Sequence, residues 1–260
     1  MKLLSIEFAK VKNYSTFWVI LIIYAVLVPL SFFGISQIEF PFLPSDTNLY
    51  GFPTVWGYVT WTASWFNILL GVLIVILTCN EIAYKTQRQS VIDGLSRQQY
   101  IMGKFMFLLV LAFIISLYTL IVGAAFGFGF SDPANFLQGI EAVPLYMVQT
   151  IGYFALAFFF ALLLKKPALS IILFIIIIML DDFIFMSGGT FNYGQYIPTI
   201  TISDLTPFPF FRELMDMAAA QNPDVELPYV MPDWARTILA SVYIVGFMVT
   251  NYVILKKRDL

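Results

Sequence analysis

The chain has 260 residues, of which 60 % are hydrophobic, 18 % aromatic and only 12 % charged, and its formal net charge is -2. About a quarter of a soluble domain is charged, so half that share, with a mean hydropathy of +0.85, points to a membrane protein. With no histidine and a single cysteine, serine–histidine and cysteine–histidine nucleophiles, zinc sites of the histidine and cysteine kind and internal disulfides are excluded.

The N-terminal arm, Met1 to Ser15, sets Leu3, Leu4, Ile6, Phe8 and Val11 among Lys2, Glu7, Lys10 and Lys12. This pattern suits either a helix lying along the membrane interface with its lysines near anionic headgroups, or a frayed leader that only sets topology. A bilayer core of about 30 Å needs roughly 20 apolar residues in a helix, and the first such stretch is Phe17 to Ser36. Its length exceeds the roughly 7 to 15 residues of a signal-peptide core, so it reads as a retained span despite the cleavage-like Gly34-Ile35-Ser36. The second span is Tyr58 to Cys79.

The connection Asn80 to Lys104 that follows is longer than a helical hairpin requires. Gly94 supplies a helix-ending left-handed residue, and Ser96 with Gln99 forms a capping box that starts a new helix running into the next span. The segment therefore reads as helix, sharp corner, helix. Its corner carries Val91, Ile92 and Leu95 beside Arg88, Asp93 and Arg97, a mixture that suits a protein contact. The competing reading is a solvated loop whose basic residues merely set topology.

The third span, Phe105 to Phe130, contains Gly123 and Gly127 at the four-residue spacing that permits close approach. The fourth is Val143 to Leu164, and the fifth, Ala168 to Ser187, holds Asp181 and Asp182, the only acidic residues inside any span. An ionisable residue at depth marks a functional site by default, here a pathway or outer-gate position. The preferred reading is blander: the helix ends there and both carboxylates sit at the external interface. Being adjacent on one helix, they cannot converge as an aspartyl-protease dyad. Gly188 to Arg236 is then a 49-residue segment with six of the 13 prolines and one helix-like stretch, Phe210 to Ala220. The sixth span is Thr237 to Leu255.

Twelve of the fourteen lysines and arginines fall in the arm, the Asn80–Lys104 connection, the Lys165-Lys166 hinge and the tail. The positive-inside rule makes that face cytoplasmic, with both termini on it, as an even span count requires. Cytoplasmic segments then carry +8 and external ones -8, and the two aspartates supply the residual -2. Around Gly103-Lys104, Gln98 stands where a phosphate-binding loop has its first glycine and Phe105 where it has Ser or Thr. Met186-Ser187-Gly188-Gly189-Thr190, a faint echo of an ATPase signature, lies on the wrong face.

At the connection the chain resembles the permease subunits of type-2 ABC transporters. Glu81, Thr86, Arg88, Gly94, Ser96-Arg97, Ile101 and Gly103-Lys104 occupy the family's places, with Leu95 where a proline is common. The tail Lys257-Arg258-Asp259-Leu260 is similar to the family's ending, and Glu7 with Lys10 suits its N-terminal interfacial helix. The resemblance implies an all-α fold: a single transmembrane domain over residues 1–260, with six spans and a long external segment before the last. It implies that Arg88, Asp93, Leu95 and Arg97 dock on a separate cytoplasmic ATPase, while Glu81 and Lys104 anchor the corner at the ends of the second and third spans. It further implies a second permease copy or related chain, with ATP and magnesium bound by the partner ATPase and no cofactor or catalysis in this chain. Lipids are the remaining partner and nucleic acid is not one. The expected function is export of a hydrophobic or amphipathic substrate across a bacterial cytoplasmic membrane. The rivals are a membrane enzyme using Asp181 and Asp182, and a non-transporting scaffold tied to an ATPase.

Overall fold

The computed structural model describes residues 2–35, 48–92, 94–132, 135–186, 194–211, 217 and 231–257. Among them the fold is all-α, with no strand. The helices are α1 (Lys2–Lys12), α2 (Ser15–Ile35), α3 (Thr54–Ser64), α4 (Asn67–Ala83), α5 (Thr86–Ile92), α6 (Arg97–Phe130), α7 (Ala142–Leu164), α8 (Pro167–Met186), α9 (Pro198–Ser203) and α10 (Asp233–Lys257). Four of them, α2, α6, α7 and α10, are long and apolar enough to cross a membrane, and α3 with α4 makes a fifth when the bent pair is taken as one span. Of α8, the apolar stretch Pro167–Leu180 is shorter than those spans.

Where the second span is expected, the structure has two helices: α3 begins at Thr54 rather than Tyr58, and it meets α4 at 42°. Neither proline nor glycine stands at the turn. The backbone ladder is interrupted instead, since the Phe66 N–H turns back three residues to the Ala63 carbonyl at 3.1 Å. α3 is the less apolar of the two helices, but the pair is apolar enough when taken together that a window reads straight through the break.

α7 is the centre of the bundle. It touches α3, α4, α6, α8, α9 and α10, and 67 % of its apolar window is buried against 22 % for α2 and α10. The outer helices bury one stripe and present another. On α2, Trp18, Ile22, Val26, Leu30 and Phe33 stay exposed at helical spacing, an apolar face suited to lipid.

The Gly123 and Gly127 pair on α6 receives side chains rather than a second backbone. A methyl group there would come within 3.0 Å of Trp56 and 2.2 Å of the Phe52 ring, respectively. Gly71 on α4 likewise seats the fully buried Phe174 of α8, whose ring lies 2.2 Å from where a Cβ would stand.

The external segment differs from expectation. Most of the Phe210–Ala220 stretch lies outside the described residues, and the helix that is described is α9, opened by Pro198 at its first turn. Ile200, Thr201 and Ile202 are buried, so α9 is tucked into the bundle against α7, α8 and α10. Alternation of the helices gathers α1, α5 and the chain's lysines at one end, the basic end. The starts of α3, α7 and α10 gather with α9 at the other, the acidic end.

Gly71→Ala should lower the unfolding free energy by about 1–3 kcal/mol, because the overpacked Phe174 has no space to swing into. Gly129→Ala, where nothing lies within 4 Å, should cost nothing. Thermal unfolding in detergent micelles compares them, and equal midpoints would show that α4 and α8 are not tightly seated there.

Candidate functional site

At the basic end, three helices deliver charge to one buried point. α1 forms because Leu4, Phe8 and Val11 share a face that packs on the core. It sits on α6 where Gly103 has no side chain, with Leu3 Cβ and Glu7 Cγ 3.7 and 3.8 Å from the missing Cβ, and Phe8 meets Phe107 edge to face at 5.4 Å. This docking carries Glu7, only 5 % exposed, onto the residue after Gly103, Lys104. α4 brings Glu81 from the other side. The Lys104 ammonium bridges the Glu7 and Glu81 carboxylates in direct hydrogen-bonded ion pairs. Lys10 closes the set, 2.6 Å from Glu7 and 3.6 Å from Glu81. Tyr100, one turn before Lys104, donates its hydroxyl to Glu81 at 2.6 Å. Its ring lies 5.3 and 5.7 Å from the Lys10 and Lys104 ammonium groups.

Two acids and two bases make the cluster neutral, and each charged atom has a hydrogen-bonding partner, which is what lets it survive burial. It closes the base of the corner. Lys85, in the left-handed region at φ 55°, ends α4, and the Thr86 hydroxyl donates to the Glu81 carbonyl at 3.2 Å as α5 begins. Gly94 has φ 102°, and the Leu95 N–H closes back on the Ser90 carbonyl at 3.1 Å. Ser96 and Gln99 form both bonds of the capping box that starts α6.

The expected site residues thus fall in different places. Glu81 and Lys104 are in contact inside the cluster. Arg88 is exposed on α5 and Leu95 is half-buried in the corner. Arg97 is exposed and donates to the carbonyl of Lys256, in the last turn of α10, at 3.4 Å, tying the corner to the C-terminal helix. Asp93 lies outside the described residues, as do the Asp181 and Asp182 side chains. The backbone of α8 continues to Met186, so the helix does not end at Asp181 as preferred. Glu7 and Lys10 point into the cluster. The signal for this was Glu7 at helical spacing from Leu3 and Val11, opposite a Gly-Lys pair. It needs the tertiary contact to be read.

At the acidic end a cavity of about 380 Å³ is bounded by Gly57, Leu145, Asp204, Phe210 and Arg236, with Glu141 and Asp233 at its wall. Arg236 donates to the carbonyls of Asp204 and Met231 at 3.1 and 3.2 Å. Burial pushes the Asp204 carboxyl above its ordinary value, against the opposing pull of Arg236. Among the described residues no group of three or more His, Cys, Asp and Glu is placed to hold a metal ion.

Lys104→Met leaves two carboxylates buried with one edge lysine and should cost about 3–5 kcal/mol, whereas adding Glu7→Gln should recover part of the loss. Denaturant unfolding of the single and double variants tests this, and simple additivity would refute a coupled cluster. Folded Asp204 keeps its proton to higher pH than the unfolded chain, so its contribution is present below the ordinary value of 3.8 and is lost as pH rises through the raised one. Asp204→Asn should therefore raise the thermal midpoint at pH 7 and leave it unchanged at pH 3.

The family model described as ABC-2 family transporter protein matches residues 3–181, well over half of the chain. The match takes in α1, the ion cluster and the whole corner, while no curated protein matches the chain. A bundle of apolar helices with these features is a membrane permease, and the chain belongs to the ABC-2 family of transporter proteins.

Proposed function

We propose that the chain is the permease subunit of an ATP-driven exporter of hydrophobic or amphipathic solutes, with α2, α3–α4, α6, α7, α8 and α10 as six spans and both termini cytoplasmic. Two permease chains, identical or related, form the pathway in a bacterial cytoplasmic membrane. Separate ATPase subunits bind ATP and magnesium and dock on the corner through Arg88, Asp93, Leu95 and Arg97. The permease itself carries out no bond chemistry.

The observation that carries this reading is the Glu7–Lys104–Glu81 cluster directly behind an exposed corner. α5 presents Arg88 and Ile92, the latter 70 % exposed, and both of its flanking helices end in the cluster with α1. A push on α5 is therefore received by three helices held as one body, and a buried ion cluster resists being pulled apart. Two basins of the bundle, inward-open and outward-open, are then biased by whether the ATPase pair is closed, a population shift driven by differential contact. The lipid-suited outer faces and the absence of any nucleotide-binding motif support the division of labour between subunits.

Arg88→Glu reverses a charge on the exposed corner without touching the core. Co-purification with the ATPase should fall at least tenfold while the permease melts as before. ATP-driven efflux of an amphipathic dye from vesicles should fall with it. Glu81→Gln should leave the ATPase bound and hydrolysing ATP but reduce efflux. Normal co-purification and efflux in Arg88→Glu would sink the assignment.

A further inference from the structure

The cavity at the acidic end is walled by α3, the start of α7, the segment after α9 and the start of α10. Its volume of about 380 Å³ lies at the small end of ligand pockets, room for a one-ring molecule but not for a helical peptide or a pair of acyl chains. Among its lining residues three carboxylates, Glu141, Asp204 and Asp233, stand against one guanidinium. That guanidinium is already engaged. Arg236, 8 % exposed, directs its two terminal nitrogens to the carbonyls of Asp204 and Met231, and Asp233 lies 3.6 Å away. An anion entering here would meet three like charges and a cation whose hydrogen bonds are made.

Asp204 is the carboxylate with something to gain. Among the described residues its carboxyl accepts no hydrogen bond and joins no ion pair, because Arg236 takes the backbone carbonyl of the same residue instead. It is desolvated without a compensating bond, a condition that a neutral amide of the same shape would avoid and that a bound cation would relieve. Rings supply the other half of the site. Phe210, 6 % exposed, borders the cavity and begins a stair of edge-to-face steps: 5.7 Å to Phe208, 5.0 Å on to Trp61 and 4.7 Å on to Trp65. Trp65 is half-exposed on the outside of the bundle, beside the break. Aromatic faces attract cations and give apolar contact to the carbon that carries them.

We propose that this cavity binds an organic ammonium, with the charge at Asp204 in the field of Glu141 and the attached carbon against Phe210 and Leu145. A soluble aromatic amine and the ammonium of a lipid headgroup share that chemistry. The volume admits the first whole and only the head of the second, for which the stair from Trp65 is a side entrance. The site does not rest on the exporter reading, since binding is measured on the permease alone, without ATP or transport.

The test uses the full chain in phosphatidylglycerol nanodiscs at pH 7 and radiolabelled phenethylammonium, read by scintillation proximity. Binding should saturate, and phenethyl alcohol and phenylpropionate, which keep the ring but not the positive charge, should compete at least tenfold more weakly than the unlabelled amine. Asp204→Asn should weaken binding at least tenfold and Phe210→Leu at least threefold. Asp132→Asn, which removes a carboxylate at the same end but outside the cavity, should leave it unchanged. Asp204→Asn keeps the carbonyl that Arg236 uses and should melt higher than the parent, so its lost binding is not lost fold. Phosphatidylethanolamine added to the nanodiscs separates the two sources: tenfold weaker binding of the amine identifies the lipid headgroup as the occupant, unchanged binding a soluble amine, and the site stands in either case. The proposal is overturned by absence of saturable binding, by equal competition from the alcohol or the carboxylate, by parent affinity in either cavity variant, or by an equal loss in Asp132→Asn.

Discussion

A polar atom between the two ends of this bundle must find its partner inside the protein, because the surroundings offer no water. That constraint accounts for the helical fold and also for each departure from it. Where the backbone ladder lapses at Trp65-Phe66, Tyr146, Asn67 and Thr150 gather around the break. Where α9 enters the bundle, Gln149 and Arg236 take up the carbonyls of Ser203 and Asp204. Where ionised groups are drawn in at the basic end, they come as a neutral set, with lysines answering glutamates. The rule has exceptions: the Tyr58 and Ser116 hydroxyls are buried without a partner among the described residues. Both are neutral groups, on which the penalty is smallest.

Much of this was legible from sequence for a physical reason. A span is a local property, set by some twenty consecutive apolar residues, and the helices cover the predicted stretches closely. The corner was legible as well, because Gly94 and the Ser96–Gln99 cap act within a few residues of themselves. What sequence reading lost was relational. Glu7 is unremarkable until α1 is laid on Gly103, and only then does it become the counter-ion of Lys104. Asn67 and Gln149 escape a search for charges, although a buried amide is nearly as demanding of partners. The break between α3 and α4 carries neither proline nor glycine, and an apolar window runs across it. α9 was missed because Pro198–Ser203 is too short to show a period, and its burial comes from the bundle that receives it.

α4 joins the two regions. Its first residue, Asn67, is hydrogen-bonded to Tyr146, Thr150 and Gln149, and Glu81, near its last, belongs to the ion cluster. Fourteen residues at 1.5 Å each set these about 21 Å apart. A helix transmits displacement between its ends only if it does not bend in between. α4 has no proline, and its one glycine, Gly71, is filled by the Phe174 ring and so is held straight by packing.

The consequence is directional. The flexible point of the second span is not within α4 but at its start, where α3 meets it at 42°. From the corner, Glu81 comes first on α4, and Asn67 stands at the far end beside the break, hydrogen-bonded to Tyr146 and Gln149. α3 lies beyond the break and is fixed to α6 by Trp56 and Phe52 against Gly123 and Gly127. The ion cluster and the hydrogen bonds of Asn67 thus stand at the two ends of one helix, and each holds buried polar groups that are costly to leave without partners.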